Sequence, residues 1–282
     1  MLWAMHPLLC FFLWSVGAIL AGAGCFHLLW RMGAAGRAVC EACSRAPMLD
    51  LVVFGFTHGP WVGAGVIWWK YSDRSALWAL AYLGVAIAAQ GVALVMWSWA
   101  HEFMHPKARK GPRIVHTLNR RVGWFRNHVA VWWTALAVPV FTMIRLGELI
   151  IYPGLVWLVR FPRYPMGEWI NISRQKFEGL VGYDLIWCLY CDWMTGVWSL
   201  GSEMLRNVES FWCPIRFLSP EKCANCSVDF PDVAGDWVKP PPEGGMGEVA
   251  ALLERKYPGP GNVNAWFGHT TRLTVEGKEV ER

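Results

Sequence analysis

The residues best suited to chemistry lie in one short stretch, Ala100-His101-Glu102-Phe103-Met104-His105-Pro106. His101 and His105 are four apart, so a helix sets both imidazoles on one face with Glu102 beside them. That is how a helix offers a metal two nitrogen ligands. Read as H-E-x-x-H, the stretch fits a zinc peptidase, with Glu102 as general base. A third ligand would then come from elsewhere, with Glu148 or His128 as candidates. Pro106 biases the residue before it away from helix, so His105 is expected to end one.

Further donors converge on the same level of the chain. His27, His58, His128 and, in the loop between helices, His116 fall on or near the side that carries His101 and His105. Imidazole suits iron, zinc, copper and nickel, and helix bundles build two-metal sites from inward-facing His and carboxylates. The stretch 180–200 supplies a polar seam at helical spacing, with Asp184, Cys188 and Asp192 at successive fourth positions and Cys191 beside them. The expected ligand set is therefore His101, His105, His128 and His58, with His116 nearby and carboxylates from Glu102, Asp184 and Asp192. Iron, as a pair of ions, is expected in preference to zinc.

Cysteine adds a second set. Of nine Cys, three C-x-x-C pairs stand out: Cys40/Cys43, Cys188/Cys191 and Cys223/Cys226. Cys188, Cys191, Cys223 and Cys226 have the spacing of a tetrathiolate zinc or iron–sulfur site; Cys40/Cys43 could replace the first pair, and buried idle thiols are the other reading. No C-x-x-C-H occurs, so covalent haem is not expected. A b-type haem needs only two facing imidazoles, and His58 with His27 or His128 could supply them. No G-x-G-x-x-G, P-loop or G-x-S-x-G is present.

The spacing His101 to His105 resembles the first His box, H-x-x-x-H, of the membrane fatty-acid desaturases and hydroxylases. That box lies at the cytoplasmic end of a transmembrane helix. The resemblance covers those five residues; the later H-x-x-H-H boxes are absent. It implies oxidative chemistry on a hydrophobic substrate.

The elements that must position these residues follow from composition. The chain has 282 residues, 55% hydrophobic and only 17% charged, with 20 Trp; a soluble domain averages about 25% charged. Uncharged apolar runs cover roughly 5–30, 51–69 and 76–100, and a fourth begins at Val129. About 20 such residues cross a bilayer, and in lipid the backbone must pair with itself, so these are helices. The fold expected is an all-α integral membrane protein: a polytopic bundle of four spans plus one or two membrane-embedded helices over 1–200. A small polar extramembrane domain, 201–282, follows. The linker-like Pro240-Pro241-Pro242 and Gly244-Gly245 precede a short helix from Met246 to Tyr257, and a hairpin is expected within 272–280.

Arg145 and Glu148 interrupt the apolar run 129–159. Either one crossing spans 129–151, or a re-entrant hairpin turns at this pair; the basic 160–178 favours the hairpin. The net charge of +5 sits in loops, which reads as topology and not as nucleic-acid binding. The loop 101–128 holds Lys107, Arg109, Lys110, Arg113, Arg120, Arg121 and Arg126, so it is expected in the cytoplasm and the protein in the inner or plasma membrane. The function expected is a metal-dependent oxidoreductase acting on a lipid or other hydrophobic molecule at the cytoplasmic interface. The alternatives are a non-catalytic electron-transfer subunit holding haem or Cys-bound metal, and the zinc peptidase. Partners would be the bilayer, the hydrophobic substrate and, for the redox readings, a redox partner protein.

Overall fold

The computed structural model describes residues 7–72, 74–229 and 237–256, with two short strands at 274–275 and 278–279. Among the described residues, the regular elements are helices and one antiparallel strand pair, Thr274–Val275 with Lys278–Glu279. Among the described residues, three helical stretches are long and apolar enough to cross a membrane: Pro7–Arg31, Ala76–Met104 and Trp124–Val159. A fourth exists if the bent pair Met48–Thr57 and Gly59–Tyr71 is one span. The chain divides into two compact units, 1–138 with 170–194 and 139–169 with 195–282.

The first unit begins with α1 (Pro7–Arg31), α2 (Gly33–Cys43), α3 (Met48–Thr57), α4 (Gly59–Tyr71) and α5 (Ala76–Met104). α5 packs on α1 through small residues. Ala86, Ala89 and Ala93 are fully buried, and side chains this short let two helix axes approach closely. Phe11 and Val16 of α1 fill the seam, with Tyr82 at its far end. The outward faces stay apolar and open: Trp14 is 73% exposed, Leu77 76% and Phe103 78%. Such surface is what a bilayer covers.

α3 and α4 meet at a 53° bend, and Pro60 is its cause. Lacking an N–H, Pro60 cannot bond the Phe56 carbonyl one turn back, and the ladder opens there. Gln90 of α5 closes the gap. Its Nε2 donates to the Phe56 and Thr57 carbonyls at 2.8 and 2.7 Å, and its Oε1 accepts from Trp61 Nε1 at 2.8 Å.

After α5 the chain forms α6 (Pro106–Lys110), α7 (Ile114–Val122) and α8 (Trp124–Thr134). A 3-10 turn at Ala135–Ala137 leads into α9 (Val138–Val159). The hairpin expected at Arg145 and Glu148 is not there: the run 124–159 is helical throughout. Arg145 Nη1 donates to Glu148 Oε2 at 2.6 Å, three residues along one helix. Paired charges three apart neutralise each other on the helix itself, so no turn is needed to reach water.

The second unit holds most of α9, α10 (Met166–Trp169) and the later turns of α11 (Gly182–Trp212), whose first turns belong to the first unit. α12 (Pro220–Asp229) and α13 (Met246–Lys256) follow. A break at residue 200, expected from composition, does not occur; α11 runs through it. Glu203, Arg206, Asn207 and Ser210 are all buried, at the three- and four-residue steps of one helix face. Asn207 Nδ2 donates to the Tyr152 hydroxyl at 3.2 Å and also to that of Tyr164. Burial, then Tyr152 and Glu203, push the Tyr164 phenol above its usual range. Beyond α11 a small core forms from Trp237, Val238, Val249 and Leu252.

Candidate functional site

The α5 seam that packs on α1 changes chemistry toward its C-terminal end. Continuing the helical step from Ala93 gives Trp97 and then His101. The His101 ring stacks on Trp97, with centroids 4.9 Å apart, and on His105 at 4.3 Å; His27 of α1 lies 5.4 Å away. Pro106 does end the helix: α5 stops at Met104, and His105 has φ −121°, ψ 62°.

Hydrogen bonds fix the tautomers. His101 Nδ1 accepts the Gly182 N–H at 3.1 Å, so its proton is on Nε2. His105 Nδ1 lies 2.9 Å from the His101 carbonyl and must donate, which leaves Nε2 with a lone pair. Gly182 is required where it stands. Its φ is +54°, and a Cβ there would collide with the Glu102 carboxylate.

Glu102 is not free to act as a base. Its Oε1 accepts from Arg113 Nη2 at 2.7 Å and from the Tyr183 N–H at 3.4 Å. Arg113 also donates through Nε to Asp184 Oδ2 at 2.6 Å and through Nη2 to the Val181 carbonyl at 3.3 Å. Its side chain is 2% exposed. Burial works against its charge, but Glu102 and Asp184 outweigh that and its pKa lies above the ordinary value. Asp184 in turn accepts the Ile114 and Val115 N–H groups at 3.2 and 2.9 Å. These are the orphan donors of the first turn of α7, so Asp184 caps that helix from 70 residues away.

The remaining residues expected at a metal have neighbours of their own. Asp192 accepts from the Ser173 and Arg174 N–H groups, each at 3.0 Å, and pairs with Arg174 Nε at 2.8 Å. That guanidinium also reaches the thiols of Cys188 and Cys191. His128 Nδ1 donates to the Trp124 carbonyl at 3.0 Å, and its ring stacks on Tyr183. His58 sits at the bend between α3 and α4. Thr57 Oγ1 donates to the Val53 carbonyl, so His58 Nδ1, 2.7 Å away, donates to Thr57. His116 is exposed on α7. Cys223 Sγ donates to the Phe217 carbonyl at 3.2 Å; the Cys226 side chain lies outside the described ones. No disulfide joins the eight cysteines whose side chains are described.

Of the expected set, the structure stacks His101 on His105 with Glu102 alongside, joins Glu102 to Asp184 through Arg113, and gathers Asp192, Cys188 and Cys191 at Arg174; it adds His27 beside His101. Among the described residues, no three His, Cys, Asp or Glu side chains are arranged to hold a metal ion. The reason is geometric: stacked imidazoles present faces, not lone pairs, to one another. A carboxylate-bridged pair of irons does not fit, because Glu102, Asp184 and Asp192 are engaged by Arg113 and Arg174. Arg113 is the organising residue the sequence reading passed over. Pro112 before it and Ile114-Val115 after it set it apart from the clustered basic residues of its loop.

Beside this centre lies an open groove of about 380 Å³, lined by Trp99, Ala100, Glu102, Phe103 and Arg109. No protein-family model, curated protein or solved structure matches the chain.

Proposed function

We propose that the protein takes a lipid or another hydrophobic molecule at the cytoplasmic interface of the membrane, in the groove at the end of α5, and that His105 is the side chain that acts on it. The groove carries the reading. Trp99 and Phe103 offer apolar faces for a hydrocarbon chain, and Arg109 a cation for an acidic head. His105 stands two residues past Phe103, with its Nδ1–H tied and its Nε2 lone pair available. Such a nitrogen can take a proton or ligate a metal.

Oxidation by bound iron is a reading of this same place, reduced to nitrogen ligands by the engagement of the carboxylates. The zinc peptidase is the weaker reading, because its base would be the carboxylate that Arg113 holds.

Native mass spectrometry of the purified protein, with metal analysis and an absorption spectrum, tests this. Wild type should retain a lipid or hydrophobic molecule that Trp99→Ala/Phe103→Ala loses. Iron lost in His105→Ala would assign the oxidative reaction. A Soret band would assign an electron-transfer subunit instead. No retained molecule in wild type, or equal retention in the groove variant, overturns the proposal.

A further inference from the structure

The basic loop contains a nine-residue helix, α7, whose surface is divided lengthwise. At about 100° per residue, Ile114, Leu118 and Val122 fall within an arc of about 80°. They are 50%, 40% and 48% exposed. The stripe continues into Trp124 and Phe125, 64% and 69% exposed. His116 and Arg120 lie on the opposite side, and Arg121 flanks the stripe.

The helix is not free to roll and hide these residues. Val115, at the edge of the stripe, is buried. Asn119, next round, accepts from Asn127 Nδ2 at 2.8 Å. The first turn is held by Asp184 and the preceding Arg113 by Glu102. The apolar stripe is therefore fixed outward.

Its level is also fixed. α5 has 29 residues, about 44 Å at 1.5 Å per residue, against a hydrocarbon core of about 30 Å. Its end stands at or beyond the bilayer surface. α7 begins ten residues after that end and is followed, across Gly123, by the candidate span that starts at Trp124.

The charge is one-sided. No Asp or Glu occurs between Glu102 and Glu148. Lys107, Arg109, Lys110, Arg120, Arg121 and Arg126 are all exposed.

We infer that α7 lies in the membrane surface as an anionic-phospholipid-binding helix. Ile114, Leu118 and Val122 insert among the acyl-chain ends, and the exposed arginines meet phosphate headgroups. This does not rest on what the groove binds, since no residue of α7 lines it.

Hydrogen–deuterium exchange on the full chain in nanodiscs tests it. Discs of phosphatidylcholine are compared with discs in which phosphatidylglycerol replaces a third of the lipid. Amide exchange across 114–122 should slow about thirtyfold with phosphatidylglycerol, the equivalent of about 1 kcal/mol for each of Arg120 and Arg121. The slowing should vanish in Arg120→Gln/Arg121→Gln and in 1 M salt. Both arginines are exposed, so the variant should fold, with α5 exchange as the internal reference. Leu118→Ser should speed exchange in both lipids. Inorganic phosphate added to phosphatidylcholine discs should not reproduce the effect; if it does, the site binds free phosphate and the inference fails. Equal exchange in the two lipids, or a phosphatidylglycerol effect that survives the double substitution, also overturns it.

Discussion

Each unit buries an arginine against carboxylate, and the two arrangements do different work. Arg113 joins segments remote in sequence: Glu102 eleven residues before it and Asp184 seventy-one after. Arg145 pairs with Glu148 along its own helix, and its Nη2 reaches the Met166 sulfur at 3.4 Å. The first is a clasp that decides which segments meet. The second lets charge ride inside an apolar helix, where isolated charge would be costly. The same residue types therefore specify tertiary structure in one unit and tolerate burial in the other.

The largest expected effect breaks the clasp. Arg113→Met leaves the buried Asp184 and the partly buried Glu102 without their shared cation, and should lose about 3–5 kcal/mol in reversible unfolding from detergent micelles. Arg145→Met should also destabilise, but adding Glu148→Leu should restore most of the loss, because an apolar pair can replace a local ion pair. Glu102→Gln/Arg113→Met/Asp184→Asn should not recover in the same way. Equal recovery in both units would erase the distinction.

Next come two glycines that face these carboxylates. Gly182→Ala must adopt a left-handed φ and displace Glu102, so about 2–4 kcal/mol should go. Gly201→Ala, in a regular helix with its Cβ 3.0 Å from Glu148 Oε1, should cost about 1 kcal/mol. The reverse order in melting temperature would mean that Glu102 moves more easily than Glu148.

Asn207→Leu removes the shared partner of two buried phenols and should cost about 1–3 kcal/mol, read from the same unfolding curves. A neutral result would mean the phenols repair their bonding with each other.

The smallest effect belongs to an exposed link in the first unit. Lys176, then Arg45, holds the Glu41 carboxyl below its usual range. A depressed acid stabilises the fold above its unfolded pKa, and that contribution is lost as pH falls through the folded value. Wild type and Glu41→Gln should differ slightly at neutral pH and converge only in acid below the ordinary carboxylate range. Divergence toward acid would reverse the assignment.

Local rules carried the sequence reading far. Three of the apolar runs became long helices, the run 51–69 became a bent pair, and α5 ended two residues before Pro106. What failed was distance. Asp184 and Asp192 stand on a seam with metal-ligand spacing, but spacing on one helix does not reveal whether a carboxylate meets a metal or an arginine. Arg113 was 71 residues away and counted only as loop charge. The end of α11 was missed for another reason. Glu203, Arg206, Asn207 and Ser210 raise the polarity enough to suggest a tail, yet their spacing was that of a helix stripe, the signal already read for 184–199.

Gln90 has a consequence for biosynthesis. Until α5 has been translated, the Phe56 and Thr57 carbonyls at the α3–α4 bend lack the amide that satisfies them. Bare carbonyls in hydrocarbon cost several kcal/mol each. The bent pair should therefore linger beside the translocon until the next segment emerges, and the two should enter lipid together. A nascent chain truncated before Gln90, or carrying Gln90→Leu, should stay crosslinked to the channel longer than the wild-type chain.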